Sequence, residues 1–371
     1  MSGLLSRLYR GETTFNFIGR RWIGFGLSIA FVVITIVSLF ARGLNLGIDF
    51  KGGVAWEVPA ATLTIEQVTA VVEKADIDVS TAKVQVLNGA DGRRIRVQVG
   101  DQPADVRRSV QGELAQLGGV ETQDVSVAAV SSSWGRSITE KAVRALVVFF
   151  VLVSIFISFR FEWKMAISAI VAMAHDVLLS VGVYSLTGFA VTPATVIAFL
   201  TILGFSLYDT IVVFDKVHDN AKRLSASRAS YGDVVNVSMN QVLMRSLNTS
   251  LAAVLPVLSL LVLGAGVLGV VSLQEFALAL LVGLLLGAYS SIYIATPILA
   301  VLKEREPKYL PRAGTLSLGD DMVKLFGVQR AEVATSRVAV SDEPRVKASS
   351  EPVSVESALS HPPRPRKKRR R

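Results

Sequence analysis

Two acidic residues lie inside runs of apolar residues that are long enough to cross a membrane. The stretch TVIAFLTILGFSLYDTIVVFDKVHDN, residues 195–220, carries Asp209 among hydrophobic neighbours, six residues before Asp215. The stretch AIVAMAHDVLLSVGV carries His175 and Asp176 near its middle. An ionised side chain in the hydrocarbon core costs about 2.5–3.5 kcal/mol on insertion scales, so such residues face protein or water and are usually functional. For Asp176, a structural hydrogen-bond post between helices and a proton-handling group are equal alternatives, and His175 is predicted to support the acid.

The next apolar segment offers a partner for Asp209. Arg245, Asn248 and Thr249 follow one stripe of a helix that enters the membrane from the side nearest to Asp209. An Asp209–Arg245 ion pair between the two helices would let each charge compensate the other. The alternative is that Arg245 extends to water at the membrane edge. Ser206 lies three residues before Asp209 and is predicted to share its helical face.

Composition places the chain among membrane proteins. Of its 371 residues, 51% are hydrophobic and 19% are charged, and the mean hydropathy is +0.48. Cysteine is absent and there are three histidines, which argues against disulfides, thiol catalysis and a histidine-rich metal site. No nucleophile–base pattern and no phosphate-binding loop is visible, so we expect no enzyme and no cofactor. Energy for any work would come from ions or from a partner.

Six apolar runs have about the length that crosses a hydrocarbon core of about 30 Å. They are residues 22–41, 142–159, 165–186, 191–214, 246–267 and 273–302, in a membrane region of 139–302 after the first run. No small-residue cleavage site follows the first run, which therefore predicts an uncleaved anchor. Lys and Arg gather in residues 1–21 and in the loops 160–164 and 215–245, whereas the short opposite loops carry no charge. Both termini are accordingly predicted to be cytoplasmic.

Residues 42–138 have a different character and are expected to fold outside the cytoplasm. The stretch GIDFKGGVAWEVP predicts a first strand, and the later segments alternate in the order βαββαβ, which suggests a ferredoxin-like domain. Thr64 and Gln67 form the pattern of a capping box at the first helix of this domain.

The segment 303–371 lacks hydrophobic periodicity and ends in HPPRPRKKRRR. This composition predicts a disordered basic cytoplasmic tail. Its terminal cluster could bind anionic lipid headgroups or ribosomal RNA, and we favour lipid slightly.

Four motifs together resemble the SecD/SecF family of bacterial protein-export membrane proteins. They are LGIDFKGG (with Gly47, Asp49, Phe50, Gly52 and Gly53), AHDV, GFSLYDTIVVFDKVHDN and SMNQVLMRSLNTS, and the resemblance covers about residues 15 to 305. The family is similar in membrane architecture to the resistance–nodulation–division (RND) transporters. The resemblance thus implies a polytopic α-helical membrane protein with six transmembrane helices and a domain between the first and second.

The resemblance also implies a function. It implies a subunit that uses the proton motive force to move preproteins across the cytoplasmic membrane, with protons as the coupling ion. Asp209 occupies the position of the proton-handling aspartate of the family, and Arg245 that of the arginine proposed to work with it. Tyr208 stands where the family often has an asparagine beside this acid. Implied partners are SecD, the SecYEG translocon with SecA, the translocating preprotein, membrane lipids and, as further candidates, YajC and YidC.

Two alternatives come from other classes of function. One is half of a proton-coupled RND-type pump for a drug or lipid, which would require a second repeat. The other is a passive membrane scaffold, in which the polar residues only hold helices together.

Overall fold

The computed structural model describes residues 8–9, 13–79, 82–89, 92–225, 227, 229–267 and 271–326. Its helices are α1 Arg21–Arg42, α2 Ile48–Lys51, α3 Ile65–Lys74, α4 Ala104–Gly118, α5 Ser132–Arg160, α6 Trp163–Thr187, α7 Pro193–Arg223, α8 Tyr231–Ser259, α9 Val271–Ser290 and α10 Thr296–Glu304. Its strands are β1 Gly53–Pro59, β2 Lys83–Gly89, β3 Gly92–Val99 and β4 Ser126–Val130. A π-helical turn, Ser291–Ala295, joins α9 to α10. Within the described residues, six helical segments are long and apolar enough to cross a membrane, in agreement with the sequence.

The six spans form a bundle with a buried centre and an exposed periphery. About half of the most apolar window is buried in α6 and in the α9–α10 span, and 44% in α7, against 22% in α1 and 11% in α5 and in the α8 span. Small residues let the central helices approach, because a side chain at Gly283 or Gly287 of α9 would collide with Ile202 or Ser206 of α7. The intramembrane acids of α6 and α7 therefore lie in the best-packed part of the bundle.

Two spans begin well before their apolar runs. Helix α5 begins at Ser132 rather than near residue 142, and α8 begins at Tyr231 rather than near residue 246. Each starts with a serine cap: Ser131 accepts from the backbone N–H of Trp134, and Ser230 from that of Asp233. The added turns of α8 are buried against protein, so hydropathy alone could not detect them, whereas most of the added residues of α5 are exposed.

Between α1 and α5, the described residues of the range 43–131 fold as an α+β domain, named here the insert domain. Its strands form one antiparallel sheet in the order β2-β3-β1-β4, and the element order along the chain is βαββαβ. Alternate residues of the strands, such as Trp56 and Val97, are buried together with Val68 of α3 and Val110 of α4. The two helices thus cover one face of the sheet, and the capping box at Thr64 forms as predicted.

The predicted first strand is wrong in its first half. Residues Ile48–Lys51 form the one-turn helix α2, and the strand begins only at Gly53. Gly52 and Gly53 have φ of 77° and 120°, a backbone conformation that favours glycine. A Cβ at Gly52 would lie 2.5 Å from Cα of Ser132, so this turn also requires the absence of a side chain.

The predicted disorder from residue 303 onwards does not hold for its described part. A turn at Leu310–Arg312 and a short helix over residues 320–326 follow α10. Met322 and Phe326 are buried against Val237 of α8, and the backbone N–H of Ser317 donates to Asp233 at 2.5 Å. These residues cover the early turns of α8, the apolar surface that the hydropathy of the sequence did not reveal. Residues 327–371, with the basic cluster, lie outside the described residues.

Candidate functional site: two buried carboxylates

Asp176 lies at the centre of the bundle and is 1% exposed. Its Oδ2 accepts hydrogen bonds from Ser206 of α7 at 2.6 Å and from Ser290 of α9 at 2.7 Å. Nδ1 of His175 lies 3.3 Å from Oδ1. Since Asp176 belongs to α6, one carboxylate ties three central helices together, and both of its oxygens have partners.

A chain of hydrogen bonds extends this cluster to the first span. Nε2 of His175 lies 3.1 Å from the hydroxyl of Ser28 on α1, and Ser28 lies 2.9 Å from the hydroxyl of Tyr289 on α9. The Tyr289 hydroxyl also donates to the backbone oxygen of Gly24 at 2.9 Å. His175 therefore lies between Asp176 and α1 and connects the two.

Asp209 is also buried, at 7% exposure, but it has fewer partners. Its Oδ1 accepts a 2.6 Å hydrogen bond from Ser246 of α8. Its Oδ2 is buried without a hydrogen-bond partner among the described residues. A small cleft bordered by Phe205, Tyr208 and Thr249 lies beside this carboxylate. An ionised Asp209 is thus much less well compensated than an ionised Asp176.

The predicted Asp209–Arg245 pair is absent. Both residues are described, yet the guanidinium of Arg245 is exposed and contacts the hydroxyl of Tyr208 at 3.5 Å. The residue after Arg245, Ser246, reaches Asp209 instead. The side chains of successive helical residues differ by about 100° in direction. The predicted helical face was one residue out of register, so Arg245 does not point at Asp209.

The other predicted polar residues take separate places. Ser206 faces Asp176 and not Asp209, whose helical face it was predicted to share. Asn248 is exposed like Arg245, and the hydroxyl of Thr249 donates to the backbone oxygen of Ser246 at 2.9 Å. The structure therefore separates two groups, one around Asp176 and one around Asp209.

A π-helical turn shapes the site on the α9 side. The turn starts at Ser291, directly after the residue that donates to Asp176. The hydroxyl of Ser291 lies 2.9 Å from that of Thr210, and the hydroxyl of Thr296 donates to the backbone oxygen of Ser291 at 2.6 Å. Because the turn widens the helix, the neighbouring Ser290 and Ser291 can both face α6 and α7.

Sequence reasoning missed the hydroxyl groups that complete both clusters. They are Ser28, Ser246, Tyr289 and Ser290. Serine is common in packed membrane helices, so its presence is a weak signal until the rotation of each helix is known.

The glycine motif lies away from both carboxylates, where the insert domain joins the bundle. The backbone N–H of Gly47 donates to the carbonyl oxygen of Val191 at 2.9 Å, which links the segment before α2 to the connection between α6 and α7. Phe50 is buried, and its carbonyl oxygen accepts from Thr139 of α5 at 3.3 Å. Asp49 lies in the single turn of α2. The motif is thus a structural joint, distinct from the carboxylate site.

Comparison with known families accounts for both features. Residues 109–305, which include the two carboxylates, match the family model "Protein export membrane protein SecD/SecF, C-terminal". Residues 37–55, which include the glycines, match the "SecD/SecF GG Motif". The chain belongs to the SecD/SecF family of protein-export membrane proteins. The resemblance seen in the sequence motifs is therefore confirmed.

Several relatives in this family are similar over most of the chain. The chain is 46% identical to the protein translocase subunit SecF of Mycobacterium tuberculosis over 308 residues, which is 81% of this chain and 70% of that protein. It is 42% identical to SecF of Streptomyces coelicolor over 305 residues, which is 82% of this chain and 80% of that protein.

A solved structure shares the fold. The crystal structure of SecDF from Thermus thermophilus, described as a translocon-associated membrane protein, aligns with a TM-score of 0.69 at 31% identity. The alignment covers 80% of this chain but only 39% of SecDF, so the chain spans well under half of that protein. The polytopic helical architecture thus agrees with that of the family.

Proposed function

We propose that this chain uses the proton motive force to promote the export of preproteins across the cytoplasmic membrane, together with a SecD partner. It acts as a transport subunit without catalytic chemistry of its own. The family and the names of the SecF and SecDF relatives support the export function. The SecYEG translocon, SecA, YajC and YidC, which the resemblance implies as further partners, belong to the same proposal.

The observation that carries the proton-driven part is the unequal bonding of the two acids. Both oxygens of Asp176 have partners, whereas Oδ2 of Asp209 has none among the described residues. A charge buried with one hydroxyl donor is poorly compensated, and a bound proton would remove that charge. Asp209 is therefore the better candidate for a group that takes up and releases protons. Asp176 is the better candidate for a structural residue that holds the helices together.

The mechanism couples the charge of Asp209 to the contact between α7 and α8. While it is ionised, Asp209 holds the hydroxyl of Ser246 in a strong, charge-assisted hydrogen bond. Protonation weakens that bond, so the two helices can repack. Protons that enter from one side and leave on the other would then bias the bundle between two arrangements.

The exposed face formed by α7 and α8 supports the presence of a partner subunit in the membrane. Arg245 and Asn248 are exposed on this face next to Tyr208, which is 50% exposed. Leu251, one turn further along α8, is 59% exposed. Polar and charged groups at this depth normally face protein or water rather than lipid. A second membrane subunit that covers this face would give Arg245 a protein environment.

Two finer features belong to this proposal. The sheet order β2-β3-β1-β4 with both helices on one face supports a ferredoxin-like insert domain. The cluster formed by Lys164, Lys303 and Glu306 lies on the side opposite the insert domain, where the positive-inside rule places the cytoplasm. The insert domain would then face outwards and both termini inwards.

The decisive experiment replaces Asp209 with Asn in the complex with SecD. Preprotein transport into membrane vesicles is measured with ATP alone and with ATP plus a proton gradient. We expect D209N to lose the gradient-dependent increase while it still assembles with SecD. The matched control is D215N on the same helix, because Asp215 is exposed and pairs with Arg160 at the bundle end. A D209N complex that keeps the full gradient-dependent increase would leave only the scaffold function.

A further inference from the structure

The insert domain rests on the bundle through polar contacts from β2 and β3. From β2, the ammonium group of Lys83 donates to Asn45 at 2.7 Å, and the side chain of Gln85 donates to the backbone oxygen of Gly188 at 3.1 Å. Asn45 follows α1 and Gly188 follows α6, so both contacts reach connecting segments. Neither of them holds a membrane helix directly.

Arg96 of β3 makes a different contact, because it reaches a helix. Its Nη2 and Nε lie 2.5 and 2.6 Å from Oε1 of Glu57 in β1, and its Nη1 lies 3.4 Å from Oε1 of Glu275 in α9. The side chains of Arg96 and Glu275 are only 15% and 12% exposed. Among the described residues, this is the only ion pair that joins the insert domain to the membrane helices, and its burial protects it from screening.

Helix α9 connects this ion pair to the carboxylate cluster. Its first turns carry Glu275, whose backbone oxygen accepts from the buried Tyr184 of α6 at 2.9 Å. Fifteen residues later, about 22 Å along the helix axis, Ser290 donates to Asp176. The hydroxyl of the next residue, Ser291, lies 2.9 Å from the hydroxyl of Thr210, the neighbour of Asp209 on α7. A continuous helix transmits a shift from one end to the other, so a movement of α9 at the cluster must also move Glu275.

We propose that Arg96 is the positioning residue that couples the insert domain to α9 and through it to the carboxylate cluster. The guanidinium is shared between Glu57, which moves with the sheet, and Glu275, which moves with α9. A shift of α9 therefore either pulls the sheet along or breaks the 3.4 Å contact. This inference rests on the proposed function, because it assigns the route by which proton-driven repacking reaches the outer domain.

The chain contains no cysteine, so two cysteines can be introduced and spin-labelled without background. S109C on α4 and T187C at the end of α6 are exposed positions on the insert domain and on the bundle. The distance between the labels is measured in SecD-containing vesicles with and without a proton gradient, in parallel with gradient-dependent transport. The test variants are R96Q and E275Q, which break the ion pair from either side, so that one variant remains informative if the other fails to assemble.

The matched control is R94Q. Arg94 lies two residues before Arg96 on the same strand, but it donates within the insert domain, to the backbone oxygens of Asp124 at 2.9 Å and Glu57 at 3.5 Å. We expect R94Q to keep both the gradient-dependent distance change and the gradient-dependent transport. We expect R96Q and E275Q to lose both and to keep ATP-driven transport.

A rescue separates coupling from mere stabilisation. The exchange R96E with E275R, made in an E57Q background so that two acids do not face each other, should restore the distance change. The proposal is overturned if R96Q and E275Q keep the full distance change, or if the exchange does not restore it. Failure of this proposal can be distinguished from failure of the proposed function, because only D209N tests the proton-driven step. If D209N loses gradient-dependent transport and R96Q keeps it, only the role of Arg96 is rejected.

Discussion

At the scale of single residues, two acids of the same type have different surroundings. Asp176 has hydroxyl donors from two helices and an imidazole neighbour, whereas one carboxylate oxygen of Asp209 has no hydrogen-bond partner among the described residues. A well-bonded group resists change, and a poorly bonded one responds to a proton. The difference in bonding, more than the depth of either residue, divides their proposed roles.

Ser246 tests this division. Replacing Ser246 with Ala removes the 2.6 Å hydrogen bond to Oδ1 of Asp209, at a cost of about 1–3 kcal/mol for the ionised form. We expect S246A to reduce gradient-dependent transport strongly and to leave transport with ATP alone unchanged. The measurement is the vesicle assay at several imposed gradients.

The control for this prediction is S250A. Ser250 lines the same cleft one turn further along α8 and makes no hydrogen bond to Asp209. It should behave like the unaltered chain. Equal losses in S246A and S250A would show that the assay reports general damage to α8 and would contradict a special role for Ser246.

At the scale of elements, the rotation of each helix decides which residues meet. Helix α8 turns Ser246 towards the buried Asp209 of α7 and places Arg245 at the exposed edge of the same interface, beside Tyr208, so neighbours in sequence have different environments. Helix α9 approaches α7 closely because Gly283 and Gly287 have no side chains. This approach places Ser290 beside Asp176.

Gly287 provides a test of this close approach. A Cβ at Gly287 would lie 2.9 Å from Cβ of Ser206, the residue that donates to Asp176. We expect G287A to force the helices apart and to lower stability by about 1–3 kcal/mol. Thermal unfolding in detergent measures the effect.

The comparison variant is G204A. Gly204 of α7 has open space where a side chain would be, and replacement of glycine by alanine favours a helix by about 0.5–1 kcal/mol. G204A should therefore unfold at the same or a higher temperature. A G287A protein as stable as G204A would show that α9 can move away from α7 without loss.

At the scale of the whole molecule, the bundle is covered unequally. On the side opposite the insert domain, residues up to Phe326 bury the early turns of α8. Within the membrane, the window of α8 is only 11% buried and exposes Leu251 and Leu255. Residues 317–326 thus complete one surface, and a partner subunit is proposed to complete the other.

The folded segment up to Phe326 gives a boundary for removing the basic tail. A chain that ends at Phe326 keeps Met322 and Phe326 against α8 and loses the cluster RPRKKRRR. We expect it to fold and to keep gradient-dependent transport, but to lose binding to vesicles that contain anionic lipid, since basic residues near such a surface contribute about 1 kcal/mol each.

Vesicle flotation at increasing salt measures this binding, and a chain that ends at Leu310 serves as the comparison. That shorter chain should also lose stability, because it removes Met322 and Phe326 from their contacts with Val237. Undiminished flotation of the chain ending at Phe326 would contradict the lipid interpretation, and loss of ribosome binding alone would favour the RNA alternative.

The sequence alone predicted the features that follow from local chemistry. The six spans, the insert domain between the first two, the capping box at Thr64 and the two buried acids all follow from apolar length, alternation and residue type. These signals depend on neighbours within a few residues. The family motifs were equally local, and the family models match the same regions.

Only the tertiary structure decided which residues face one another. Hydropathy does not determine the rotation of a helix about its axis to better than about 100°. A rotation of that size decides whether Arg245 or Ser246 is the partner of Asp209. It also cannot detect helical turns that are covered by protein, such as the start of α8 beneath residues 315–326. Helix rotation and the covering of helical turns both depend on contacts between residues far apart in the chain, which local sequence patterns do not report.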